Sequence, residues 1–317
     1  MPHIALRDNN KLNYLDIGRG PPVVLLHGFG MRGAHWLPFI SALSLRYRFI
    51  LPDLRGFGAS HQVGLNQSCV LSNYADDLED LLDGLNLDRV FLGGLSLGAY
   101  TSLQYFRRYG TARIHAYAHM DQSPMARNVR GWRWGLFGDD HEHRTGEFRS
   151  LLELMDSMDR NTPWYRVDPK IRARVWQMLA AFMGDAVHRR ALRVSLKLLF
   201  RHEPTARRLM SPDNWPVYMD VMRAYLEGDY DMRESLAGID VPMTVMVGTE
   251  SRMYPAPGQI WIKSQVRDAN VVCFENCGHA LMLDSPRQFI FELAKFLYRG
   301  AALTAGDRER ITERRAA

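Results

Sequence analysis

Cysteine is scarce in this chain. Cys69, Cys273 and Cys277 are an odd number with no zinc-type paired spacing, which fits reduced thiols rather than a disulfide framework. Long apolar runs are missing too: nothing approaches the roughly 18 uninterrupted apolar residues that crossing a bilayer takes. The opening Met1-Pro2-His3-Ile4 lacks a basic stretch leading into an apolar core. The expectation is therefore a cytoplasmic protein without stable membrane insertion. Charge of one sign is also lacking: a net +5 over 317 residues is mild, and no basic stripe with interleaved aromatics marks a nucleic-acid partner. His141-Glu142-His143 comes nearest to a metal motif, yet a spacing of two on a polar stretch without a further ligand does not make one. No metal, no cofactor and no internal repeat are expected.

What is present is apolar bulk, 46% of the residues, enough for one large core with or without a cover. Leu12 to Gly18 alternates as an antiparallel edge strand would, and the turn residues Gly18, Gly20, Pro21 and Pro22 follow. Val23-Val24-Leu25-Leu26 and Phe49-Ile50-Leu51 are too continuously apolar for half-exposed strands and suit a sheet covered on both faces. A helix bearing Trp36, Phe39, Ile40 and Leu43 is expected between them. From Leu71 to Leu87 the apolar residues recur at helical spacing, which predicts a helix with Asp76, Asp77, Glu79, Asp80 and Asp83 facing water. Asp53 and Arg55, at the exit of the second strand, read as charges that satisfy turn backbone rather than as catalysts.

The stretch Val90 to Tyr100 carries the chemistry. In Gly94-Leu95-Ser96-Leu97-Gly98 a buried strand meets a helix, and the glycines flank the serine where a sharp turn brings backbone too close for a Cβ. A free hydroxyl is a poor nucleophile, so Ser96 requires a base and donors for the oxyanion it creates. His27-Gly28-Phe29-Gly30 can turn the Phe29 N–H toward a point above the sheet, and the Leu97 N–H supplies a second donor.

Taken together, His27-Gly28-Phe29-Gly30, Asp53-Leu54-Arg55-Gly56-Phe57-Gly58-Ala59-Ser60 and Gly94-Leu95-Ser96-Leu97-Gly98 resemble the α/β-hydrolase fold superfamily, in its cofactor-free serine hydrolase and esterase branch. The resemblance covers about Ile4 to Tyr298 apart from one long insertion. It implies an α/β fold: a mostly parallel central sheet flanked by helices, with a helical lid inserted after the sixth strand. The core would occupy residues 1–124 and 237–300, the lid 125–236 and a flexible tail 301–317, with Thr304 to Ala317 disordered or loosely helical. His279, in Cys277-Gly278-His279, matches the family's base. The family's usual acid position, three residues after Gly248, holds Ser251. Two carboxylates can replace it: Asp121, closing the neighbouring strand Ile114 to Met120, which is preferred, and Glu250, one residue early.

Within the insertion, Trp132, Trp134, Trp164, Trp176 and Trp215 accompany many arginines and methionines. A lid of this texture turns some apolar side chains toward the substrate. Arg189, Arg193, Lys197 and Arg201 recur every four residues, with Val187, Ala191, Val194 and Leu198 on another face; the cationic stripe reads first as a solvated face, with docking to an anionic membrane surface or recognition of an anionic substrate as the alternatives. The function expected is hydrolysis of a carboxylic ester of a small to medium, moderately hydrophobic molecule. Ser96 would be the nucleophile, His279 the base, and Asp121 or Glu250 the orienting acid. Alternatives on the same residues are lactone, amide, thioester or carbon–carbon hydrolysis, or perhydrolysis. From another class, the fold could serve a non-catalytic small-molecule receptor.

Overall fold

The computed structural model describes residues 1–300. At its centre lies an eight-stranded sheet of β1 (His3–Ala5), β2 (Lys11–Ile17), β3 (Pro22–Leu26), β4 (Arg48–Pro52), β5 (Val90–Leu95), β6 (Ile114–Met120), β7 (Met243–Gly248) and β8 (Ala269–Phe274). The strands are ordered β1-β2-β4-β3-β5-β6-β7-β8. Only β1–β2 and β2–β4 are antiparallel; the remaining pairs are parallel. Strands β3 and β5 are buried almost throughout, as parallel strands covered on both faces must be. From β3 the chain leaves to one side for β4 and returns to the other for β5. The carboxyl ends of β3 and β5 thus open the crevice where such sheets hold ligands.

Helix α1 (Val70–Gly84) and helix α2 (Leu97–Tyr109) flank the sheet. Residues 286–300 form a further helix that stacks Phe289 on Trp36 and sets Phe296 edge-on to Phe91. Three local readings are corrected. Strand β2 is not the edge, because β1 pairs along its outer side. The helix expected around Trp36 is three short turns, Gly33–Trp36, Leu37–Ile40 and Leu43–Leu45. Asp77 does not face water: it is buried against Arg55, with bonds of 2.5 and 2.8 Å, while Arg55 also reaches Asp8 at 2.6 Å. Asp53 accepts from the Gly33 N–H at 2.6 Å and the Ala59 N–H at 2.7 Å. Asp53 thus satisfies turn backbone, as its sequence context implied, whereas Arg55 mainly pairs with two carboxylates and reaches one backbone oxygen, that of Gly64, at 3.0 Å.

Between β6 and β7 the chain forms helices α3 (His141–Asp156), α4 (Pro169–Asp185), α5 (Arg190–Arg201), α6 (Glu203–Leu209) and α7 (Trp215–Glu227). A bridge between Met125 and Asp231, with the Met232 N–H on the Pro124 carbonyl at 3.0 Å, closes the base of this segment. In α5 the inward stripe is Leu192, Leu196 and Leu199 with buried Phe200. Val194 and Leu198, expected on a second apolar face, are 50% and 61% exposed. The reason is that α5 starts only at Arg190, so buried Val187 belongs to the preceding turn and does not set the helix phase. The tail expected over Thr304 to Ala317 lies outside the described residues.

Candidate active site

Ser96 stands between the last residue of β5 and the first of α2 with φ 53° and ψ −115°, a conformation that side chains rarely adopt. Such backbone costs about 1–3 kcal/mol and persists only where its surroundings enforce it. Here the Ser96 N–H bonds the Met120 carbonyl at 3.0 Å, and its carbonyl accepts from Tyr100 N–H at 2.9 Å. The flanking glycines are obligatory: a Cβ on Gly94 would sit 2.4 Å from the Gly98 carbonyl oxygen, and one on Gly98 would sit 2.4 Å from that of Leu26.

Asp121 follows β6 as Ser96 follows β5, and Leu95 and Met120 are paired in the sheet, so the two residues emerge side by side. Asp121 is completely buried and also has a positive φ, 42°. Every partner of its carboxylate is a donor. One oxygen takes the Gly248 N–H at 2.9 Å and the Gln259 amide at 3.1 Å; the other takes the Ser251 hydroxyl at 2.6 Å and His279 Nδ1 at 2.7 Å. An Nδ1–H directed at a carboxylate leaves Nε2 with its lone pair. Glu250 is displaced from this cluster: the loop after β7 turns outward, leaving Glu250 exposed in a polar cleft with Asp185 and Arg252. Its carboxylate has no bond to His279 among the described residues. The inward position, one residue on, belongs to Ser251. Sequence reasoning saw Ser251 only as a gap in the pattern and missed Gln259, which carries no motif.

The His279 loop is fixed from below. Asp284, buried, accepts the N–H groups of Gly278 at 2.9 Å, His188 at 2.6 Å and Arg189 at 3.1 Å, and the Ala280 N–H bonds the Ala186 carbonyl at 2.7 Å. The turn between α4 and α5 is thereby joined to the histidine. No hydrogen bond joins Ser96 to His279 among the described residues. Such contacts often tighten only when substrate is bound. Among the described residues, neither the Phe29 N–H nor the Leu97 N–H is engaged in a turn or loop backbone bond. The Phe29 loop is held by buried His27, whose Nε2 accepts the Leu54 N–H at 2.9 Å while Nδ1 meets the Gly28 carbonyl at 2.8 Å.

Burial pushes His27 down to about 4 and does the same to His119, which is bonded to Tyr117 and the Gln122 carbonyl. With the unfolded value near 6.5, the folded chain binds fewer protons between about pH 4 and 6.5. The stability these two neutral rings contribute is complete above pH 6.5 and is lost as pH falls toward 4. Asp77 opposes them, since burial pushes its carboxyl up to about 6. A group-specific measurement is therefore the proper check: in NMR titration the ring resonances of His27 and His119 should stay at neutral positions through pH 5. Titration of either near 6.5 would contradict the assignment.

The space beside Ser96 is walled by Phe29, Leu136, Phe182, Met222, Met253 and the tyrosines 225 and 254, and measures about 20 Å³. That is room for one water. Phe29 and Met222 also border a second, apolar chamber of about 40 Å³ inside the inserted helices, where Trp164, Trp176 and Trp215 meet Met155, Met178, Met210 and Met219. Trp132 and Trp134 lie elsewhere and pack on each other, with Trp132 also on Trp261.

The chain is similar to known proteins over most of its length. Pimeloyl-[acyl-carrier protein] methyl ester esterase of Nitrosomonas europaea is 24% identical over 278 residues, covering 86% of this chain and 94% of that protein. A non-heme chloroperoxidase of Kitasatospora aureofaciens is 36% identical over 117 residues, 37% of this chain and 42% of that one. An esterase structure from Exiguobacterium antarcticum shares the fold at TM-score 0.72 and 21% identity, over 93% of this chain and 98% of that one. The family model described as alpha/beta hydrolase matches residues 23–293, which takes in the Phe29 loop, the Ser96 turn, Asp121 and His279. With that span matched and the parallel sheet in place, the chain belongs to the alpha/beta hydrolase family.

Proposed function

We propose that this hydrolase cleaves a carboxylic ester of a small to medium, moderately hydrophobic molecule through an acyl-enzyme on Ser96. His279 takes the Ser96 proton as Oγ attacks the acyl carbon, and the N–H groups of Phe29 and Leu97 receive the negative charge that forms on the carbonyl oxygen. Collapse breaks the bond to the alcohol, which leaves with the proton from His279. Water, deprotonated by the same imidazole, then attacks the acyl-enzyme and releases the acid and Ser96. Asp121 orients the imidazole. The observation that carries this reading is the 2.7 Å bond from His279 Nδ1 to a carboxylate buried one strand away from a serine on a strained turn.

The inserted helices act as a lid. The room beside Ser96 is too small for any ester, so entry requires Phe29, Met222 or the helices to move, and the chamber beyond them offers an apolar chain a methionine-rich, adaptable lining. A second reading, perhydrolysis with hydrogen peroxide in place of water at the deacylation step, draws support from the likeness to the chloroperoxidase. Graded p-nitrophenyl esters test the first reading. Turnover should rise from acetate to an intermediate chain length and then fall, and a fluorophosphonate should label Ser96. Tight ligand binding with neither turnover nor labelling would favour the receptor class instead; peroxide-dependent halide oxidation far exceeding ester hydrolysis would favour the second reading.

A further inference from the structure

The wall around Ser96 is apolar except for two phenol groups, and one of them is unexplained by the folded protein. Tyr225 enters from α7 and is 8% exposed, with its ring edge-on to Tyr100 at 5.3 Å. Its hydroxyl lies near that of Tyr254 yet makes no hydrogen bond of ordinary length among the described residues. The contrast with its neighbour is instructive, since the Tyr100 hydroxyl donates to the Tyr230 carbonyl. An unpaired buried hydroxyl is destabilising, and folded interiors rarely retain one. Phenylalanine would fill the same space without that penalty. Burial, together with the nearby Tyr254 hydroxyl, raises the Tyr225 phenol well above its ordinary value, so it remains a protonated donor.

The scissile carbonyl already has two backbone donors, Phe29 and Leu97, and the leaving group has His279. A phenol on the wall of the same space is therefore surplus to bond cleavage, and apart from the neighbouring Tyr254 phenol the rest of that wall is apolar. We propose that Tyr225 is a specificity residue: its hydroxyl donates to a second oxygen of the substrate, an ether, keto or hydroxyl function on the chain attached to the ester. The inference rests on the Ser96 hydrolase reading and adds the substrate class, an oxygenated aliphatic ester. A site built to bond one oxygen discriminates against analogues lacking it, because its own polar group is then left unpaired. The same logic explains why the hydroxyl is kept although the free protein leaves it unsatisfied.

The test compares wild type with Tyr225→Phe on p-nitrophenyl hexanoate and its analogues in which an ether oxygen replaces one chain methylene at successive positions. A parallel series places the oxygen in the alcohol chain of hexyl acetate. Intrinsic reactivity cancels in the ratio of the two enzymes. At one position the substitution is expected to lower kcat/KM by about 10- to 100-fold more than it does on the parent ester, and the variant should melt no lower than wild type. A ratio constant along both series overturns the proposal, as does a lowered melting temperature, which would assign the hydroxyl a structural bond. Fluorophosphonate labelling separates the two levels. An unlabelled Ser96 in wild type sinks the hydrolase reading itself; a labelled Ser96 with no Tyr225-dependent preference sinks this inference alone.

Discussion

Ser96→Ala is expected to reduce kcat for ester hydrolysis by about 10⁴- to 10⁶-fold while leaving the thermal unfolding curve in place. The two halves of that expectation have separate causes. In the proposed mechanism, removing Oγ deletes the atom on which the acyl-enzyme forms, so what remains is direct attack by water assisted by the Phe29 and Leu97 donors. The fold, in contrast, does not depend on the hydroxyl: the contacts that hold the turn are the backbone bonds of Ser96 to Met120 and Tyr100, which alanine retains. The left-handed φ of 53° strains alanine as it strains serine. Turnover and a melting curve on the same preparation check both halves, and turnover within tenfold of wild type would remove Ser96 from the mechanism. Loss of the folded state would show that the hydroxyl is structural after all.

The parts of the site legible in the sequence are those whose geometry is decided within a few residues. Gly94 and Gly98 lie two residues either side of Ser96 because adjacent backbone leaves no space for a Cβ there, and that constraint is visible as a spacing. The buried parallel strands are equally local, since an unbroken apolar run such as Val23 to Leu26 has few other uses. What escaped is decided by distant partners. Asp77 occupies a helical position that reads as solvent-facing, and only the fold brings Arg55 over it. Tyr225 sits among apolar residues of α7 at ordinary helical spacing, so nothing local separates a pocket hydroxyl from a packing ring. The acid was ambiguous for the same reason: whether Asp121 or Glu250 faces His279 depends on how the loop after β7 turns, and residues 249–254 carry no signal that fixes that turn.

Asp121→Asn should cut kcat by about 10⁴-fold, the scale seen when the orienting carboxylate of a serine triad becomes an amide. The four groups around Asp121 explain why the isostere is not tolerated. The Gly248 N–H, the Gln259 amide, the Ser251 hydroxyl and His279 Nδ1 all point donors at it. An amide must set its own NH₂ against one pair of these. Where it donates to His279, Nδ1 becomes the acceptor and the ring proton moves to Nε2, so the imidazole can no longer take the Ser96 proton. Glu250→Gln, altering an exposed carboxylate, should stay within about twofold of wild type, because surface changes away from such networks have small effects. A large loss from Glu250→Gln with Asp121→Asn still active would reverse the assignment. The geometry also forecasts a partial rescue. The Ser251 hydroxyl already reaches within 2.6 Å of the oxygen that His279 uses, so a carboxylate introduced there enters the same corner from the neighbouring strand. Ser251→Asp in the Asp121→Asn background is therefore expected to recover about 10- to 100-fold of the lost kcat, since restoring an acceptor returns the proton to Nδ1. No recovery, in a double variant that still folds and binds, would mean that the direction from which the carboxylate approaches matters as much as its charge.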